Sequence, residues 1–184
     1  RKTFVLTAGI LLCLLVVTFA ISRVLILRRF ADLEDSQVML NTRRARNALH
    51  RELDQMSRVA LDYSAWDDMY AWMGRRDPDF LRSTFPENSF DATSLRLNAV
   101  VLADLHGIVL FQKGIDYHSR VPMPVPASLL SHLTVDGLMN HPDSYSPVVG
   151  LLRLPDGPWM VAAAPVTTSD QQGPMSGSLV MARQ

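Results

Sequence analysis

The chain has a single cysteine, no metal-spaced histidines and no nucleotide-binding glycine loop, and each absence closes a class of function. Cys13 stands alone among 184 residues, so neither an intrachain disulfide nor a thiolate metal site can be built within one copy. The five histidines, at 50, 106, 118, 132 and 141, show no H-x3-H spacing that would bring two imidazoles to one metal. No G-x-S-x-G, P-loop, H-E-x-x-H or GGDEF sequence occurs. No cofactor, metal or catalytic role is therefore expected of this segment. From residue 63 onward, eight Lys and Arg stand against twelve Asp and Glu, a net charge of −4. The basic face that nucleic acid requires is missing.

Two further absences shape the N-terminal part. No charged residue occurs over 3–22, and such a run matches the roughly 20 apolar residues that cross a hydrocarbon core of about 30 Å. A transmembrane helix over residues 1–27 is expected. A cleaved signal peptide is the competing reading, but the run is long for one and no small-x-small cleavage site follows it. Arg1 and Lys2 flank one end and Arg23, Arg28 and Arg29 the other, so flanking charge does not orient the segment.

Neither Gly nor Pro occurs over 24–73, so the membrane segment is expected to feed into a long signalling helix over 28–61. Apolar residues at 49, 53, 56, 60 and 63 make one seam along it. That seam suits either the protein's own sheet or the same helix of a second subunit. Gly74 reads as the helix stop, and Asp77-Pro78 as the cap and first-turn proline of a short helix over 79–82.

Beyond Asn88 the periodicity changes to extended runs. Residues 97–103 and 108–112 form a hairpin about the turn Asp104-Leu105-His106-Gly107. A short helix is expected over 127–133, then strands over 148–154 and 159–166 joined by Pro155-Asp156-Gly157-Pro158, and a last strand over 177–183. Helices first and five short strands afterward predict an α+β fold, with an antiparallel sheet covered on one face by the long helix.

Chemistry concentrates in Asp62-Tyr63-Ser64-Ala65-Trp66-Asp67-Asp68-Met69-Tyr70. On a continuous helix, positions 59, 62, 63, 66, 67 and 70 share one broad face. Carboxylates on a half-buried aromatic face are costly unless paired. A bound small molecule with a positive group would pair them, and Trp and Tyr faces suit such a ligand. The structural alternative is that Trp66 is ordinary core and that Asp67 accepts backbone N–H bonds from a neighbouring loop. Asp67 and Asp68 do not form an acid–base pair, because adjacent helical side chains diverge by about 100°.

This motif, with Phe80, Asn88, the Leu97-Asn98-Ala99-Val100-Val101 strand, Asp104, Gly107, Gly150-Leu151, Gly157-Pro158, Pro165-Val166, Gly173-Pro174 and Gly177-Ser178-Leu179, resembles the fourth class of CHASE domain, an extracytoplasmic sensory domain of bacterial signalling proteins. The resemblance covers residues 40–183. It implies a Cache- and PAS-like fold, with a long N-terminal helix on a five-stranded antiparallel sheet and a pocket on one face, over a sensory domain of residues 62–184. It further implies attachment to the bacterial inner membrane with the domain on the periplasmic side, a second membrane helix, and a missing output domain: a diguanylate cyclase, a cyclic di-GMP phosphodiesterase or a histidine kinase. By position it points to Asp62, Trp66, Asp67 and Tyr70 as the signature, with Tyr63 beside them and Asn88 and Asn98 as further polar candidates for a ligand of unspecified identity. A homodimer and the membrane are the expected partners. Two functions stay open: a ligand-responsive sensor, and a constitutive dimerisation and anchoring module that binds nothing.

Overall fold

A computed structural model describes residues 2–86, 96–134 and 136–184, with side chains of the first helix described at 9, 11–23 and from 37 onward. The chain divides into two compact units, Arg1–Leu49 and His50–Gln184. Helix α1, Lys2–Ser64, begins in the first. There Leu11, Leu12, Leu15 and Phe19 each leave about two thirds of their surface uncovered. The Thr18 hydroxyl is satisfied within the helix, donating to the Leu14 carbonyl at 2.8 Å. Among the described residues no helix is long and apolar enough to cross a membrane, so the structure does not support the transmembrane helix expected over 1–27.

The second unit carries the fold. After α1 come α2 (Asp67–Arg75), α3 (Pro78–Thr84), β1 (Ala99–Asp104), β2 (Val109–Gly114), α4 (Ala127–Leu130), β3 (Val148–Leu154), β4 (Gly157–Val166) and β5 (Gly177–Arg183). The strands form one antiparallel sheet in the order β2-β1-β5-β4-β3. The three central strands are nearly continuous apolar runs because both of their faces are covered. Val100, Leu102, Ala162, Ala164, Leu179 and Met181 meet Met56 and Ala60 of α1, Met69, Trp72 and Met73 of α2, and Leu81 of α3. On the opposite face Ala99, Val101, Val161, Ala163 and Val180 meet Val125, Leu129, Leu133, Leu138 and Met139. The helix seam is thus used inside the chain from Met56 onward. A second cover, from the segment between β2 and β3, adds to the one-sided packing that the sequence suggested.

One boundary differs from expectation. Helix α1 ends at Ser64, and α2 starts at Asp67 with Trp66 as an extended N-cap at φ −108° and ψ 136°. The break has a tertiary cause. The Ser64 carbonyl accepts the Thr167 N–H at 3.2 Å, and the Ser64 hydroxyl donates to the Leu61 carbonyl at 3.2 Å. A serine that bonds back to its own backbone loosens a helix, and here the residue following β4 takes the freed carbonyl. Gly74 then lies inside α2, while Arg76 takes the left-handed cap at φ 57°. Asp77 caps α3 as expected, its carboxylate accepting the Asp79 N–H at 3.0 Å.

Gly177 fixes the sheet where β5 begins. Its φ is +155°, and a Cβ there would collide with the Ala103 carbonyl oxygen and the Met73 Cε. Only glycine lets β1, β5 and α2 meet at this point.

Candidate functional site

The helix break places the aromatic and acidic motif at one corner of the sheet. Trp66 stacks on Tyr63 with centroids 5.1 Å apart, Tyr63 on Phe85 at 5.7 Å, and Phe85 on Phe111 at 6.1 Å, with interplanar angles of 22–28°. Four rings from α1, the α1–α2 break, the end of α3 and β2 make one ladder. Each centroid distance lies in the 4.5–7 Å range of aromatic pairs, which add about 0.5–1.5 kcal/mol beyond area burial. Along it Phe85 is buried at 4% exposure, Tyr63 is half-buried, and Trp66 at the end is 39% exposed.

Asp67 sits in the first turn of α2, where a carboxylate is favoured by the helix dipole. Its Oδ1 accepts the Ser169 N–H at 2.9 Å, so it ties α2 to the loop after β4. That loop is built by Asp170, which accepts the Thr168 hydroxyl at 2.6 Å and the Gln172 N–H at 3.2 Å. The Thr168 hydroxyl and Gln172 N–H hold the Asp170 carboxyl below its ordinary range. Asp67, Thr168, Ser169, Asp170, Gln172 and Gly173 line an open groove of ≈550 Å³.

The remaining expected residues separate. Asp62 is exposed on the last turn of α1, Tyr63 and Tyr70 are half-buried, and Asn88 lies outside the described residues. Asn98 is buried at 9% exposure but stands at the other end of the sheet. Its N–H pairs with the Ala182 carbonyl at 2.9 Å, just ahead of β1, whereas the loop that meets Asp67 follows β4 past Val166, whose register partner is Gly177. A strand length, roughly 17–20 Å, parallels the offset between them. The structure brings Tyr63, Trp66 and Asp67 together and leaves Asn98 apart from them.

Asn98 belongs to a larger cleft of ≈820 Å³, which Glu52, Gln55, Arg96, Asp116, Tyr117 and Arg183 also line. The Asn98 amide donates to the Ile115 carbonyl at 3.2 Å and its oxygen accepts the Gln184 N–H at 3.0 Å. Arg183, at the end of β5, pairs with Glu52 of α1 at 2.9 Å. The Arg96 guanidinium lies 5.7 Å from the centre of the Tyr117 ring, a cation–π distance. Apart from Asn98, these residues carried no motif in the sequence. Arg96 and Tyr117 are twenty-one positions apart, and pairing of β1 with β2 is what joins them.

The second unit is an α+β domain with a five-stranded antiparallel sheet, and comparison with known proteins names its family. A CHASE4 domain family model matches residues 48–184. The chain belongs to the CHASE4 domain family, the sensory domains of signalling proteins. It is similar along its whole length, at 21% identity, to the methanogenesis regulatory histidine kinase FilI of Methanothrix harundinacea (strain 6Ac), of which it spans 20%. Its fold is similar to that of the extracellular domain assigned to a histidine kinase, vpHK1S-Z8, with a TM-score of 0.52, 11% identity, and coverage of 74% of this chain and 52% of that one. A domain of a sensory box/GGDEF family protein from Vibrio parahaemolyticus aligns at a TM-score of 0.46 and 15% identity, over 74% of this chain and 54% of that one.

Proposed function

We propose that this chain is the ligand-sensing input segment of a membrane-anchored signalling protein, with the second unit on the extracytoplasmic side. The observation that carries the reading is the family match over residues 48–184, on a unit whose cleft of ≈820 Å³ lies within the 300–1,000 Å³ of small-molecule sites. The charge-free run over 3–22 supports an anchor, as do the uncovered Leu11, Leu12, Leu15 and Phe19. In this reading a histidine kinase or a cyclic di-GMP enzyme supplies the output. The regulatory kinase of which the chain spans 20% favours the first.

The mechanism is a population shift. A ligand held between α1 and the sheet favours one packing of α1 over another by its difference in affinity for the two. Among the expected site residues, Asn98 lines the larger cleft, and we assign the ligand to that end. The Trp66–Asp67 corner then serves as the joint at which α1 is fastened to the sheet. A homodimer belongs to the same reading, but it must use a face of α1 other than the one holding Met56 and Ala60.

A thermal-shift screen of amines, amino acids and organic acids on the whole chain in detergent micelles tests the reading. A ligand at a hundredfold excess over its Kd stabilises the folded state by about 2.7 kcal/mol, a shift of several degrees. At least one compound is expected to produce it. If none does, the anchoring and dimerisation module takes its place.

A further inference from the structure

The cleft beside Asn98 holds charges of both signs, and their hydrogen bonds divide them into engaged and open groups. Asp116 is engaged by its own turn. Its Oδ1 accepts the His118 N–H at 2.9 Å and its Oδ2 accepts the Ser119 hydroxyl at 2.7 Å. Glu52 is engaged by Arg183 at 2.9 Å. Arg96 differs, for among the described residues no carboxylate pairs with it and its contact is the Tyr117 face. At 5.7 Å from the ring the guanidinium is attracted as a cation, and a guanidinium can take a carboxylate in two parallel hydrogen bonds. Arg96 also holds a left-handed backbone at φ 51°, a conformation uncommon for residues other than glycine.

The open chemistry of the cleft is therefore donor chemistry. Its lining sets two arginines against two carboxylates, so a doubly charged anion gains no net attraction while a single carboxylate meets the one arginine without an acidic partner among the described residues. Arg183 faces the same cleft, and its side chain is 16% exposed against 47% for Glu52. A ligand carboxylate reaching Arg183 competes with a partner that sits in water and is weakly held for that reason.

We propose that this cleft binds a small organic carboxylate, taken by Arg96 against Tyr117, and that the bound ligand displaces Glu52 from Arg183. The assignment rests on the sensory reading above and adds to it a ligand class and a switch. Glu52 belongs to α1 and Arg183 to β5, so displacement removes this tie between helix and sheet while the Thr167 N–H on the Ser64 carbonyl keeps α1 tied at the other end.

The test uses the whole chain in detergent micelles, with propionate, succinate and inorganic phosphate as probes at matched ionic strength, read by thermal shift and calorimetry. Propionate is expected to bind saturably and more tightly than succinate or phosphate, which carry a second charge. Arg96→Ala should weaken that binding at least tenfold, and Arg96→Lys, which keeps the charge and loses the fork, should fall between. Glu52→Gln should tighten it severalfold by removing one competitor for Arg183. Circular dichroism confirms that each variant is folded. Binding unchanged in both Arg96 variants, or succinate or phosphate equal to propionate, overturns the site. Unchanged or weaker binding in Glu52→Gln overturns the displacement. A compound of another class that stabilises wild type and Arg96→Ala alike overturns this inference and leaves the sensory reading standing, whereas silence across every compound overturns both.

Discussion

The two ends of the sheet fasten the same helix by opposite chemistry. At the Ser169 end the ties are apolar and backbone-directed, a ladder of four rings and the Thr167 N–H on the Ser64 carbonyl, with α2 fastened just beyond by the Asp67 carboxylate on the Ser169 N–H. At the Asn98 end they are side chain to side chain and partly wet, with Glu52 on Arg183 across an open cleft. Close-packed contacts resist small displacements, because their energy comes from many short-range neighbours. An ion pair whose carboxylate sits half in water, as that of Glu52 does, is less firmly held and can exchange with another anion. A helix fixed at one end and lightly held at the other is suited to swing, and the lightly held end is where a ligand has leverage.

Substitutions can break or sharpen this contrast. The largest effect is expected at Gly177, where alanine meets both the Ala103 carbonyl and Met73. Gly177→Ala should lose about 3 kcal/mol or more in urea unfolding. Gly150→Ala, with nothing within 4 Å of the added carbon, should change it little. Asn98→Ala should cost about 2 kcal/mol, since it leaves the Ile115 carbonyl and the Gln184 N–H without their amide partner. Asp67→Ala should cost about 1 kcal/mol or less, the Ser169 N–H being exposed and able to turn to water. If the Asp67 variant loses more than the Asn98 variant, the Ser169 corner is not secured chiefly by its rings.

The smallest effect concerns pH. His141 Nδ1 faces the Ser146 carbonyl at 3.2 Å, so that nitrogen carries the proton, and the Ser178 hydroxyl donates to Nε2 at 2.6 Å. Burial pushes the imidazole below its ordinary value of about 6.5. A pKa lowered by folding favours the neutral ring, so its contribution to stability is complete above about pH 6.5 and is lost as pH falls through the folded value. Melting temperature should fall over that interval in the wild type and fall less in His141→Gln. A separate loss below about pH 4 is expected from Asp116 and Asp170, which their hydroxyl and N–H partners hold below the ordinary carboxylate range.

Strands were the most legible part of the sequence. Residues 148–154 and 177–183 stand where their apolar runs and flanking turns placed them, and the hairpin about Asp104 forms with its carboxylate accepting the His106 and Ile108 N–H groups, both at 2.9 Å. The break at Ala65 was not legible. No glycine or proline marks it, and its cause is Thr167, a hundred residues away, which takes a carbonyl out of the helix. Reading the motif on an unbroken helix put Asp62, Trp66 and Asp67 on one face toward the sheet. The break instead stacks Trp66 on Tyr63 and leaves Asp62 and Asp67 in solvent. Met56, Ala60, Met69 and Trp72 fill the interface between helices α1 and α2 and the sheet. The Asn98 cleft was hidden for a similar reason, since strand pairing assembles it from four distant stretches whose residues look like ordinary surface polar positions.

The exposed end of the ring ladder has a practical consequence. Of the three tryptophans, Trp159 is 0% and Trp72 6% exposed, while Trp66 is 39% exposed, so an aqueous quencher such as iodide should reach one indole and leave two dark to it. That indole sits on the joint between the two helices, face to face with a tyrosine. Its emission is a dye-free optical gauge of the hinge, already installed by the fold.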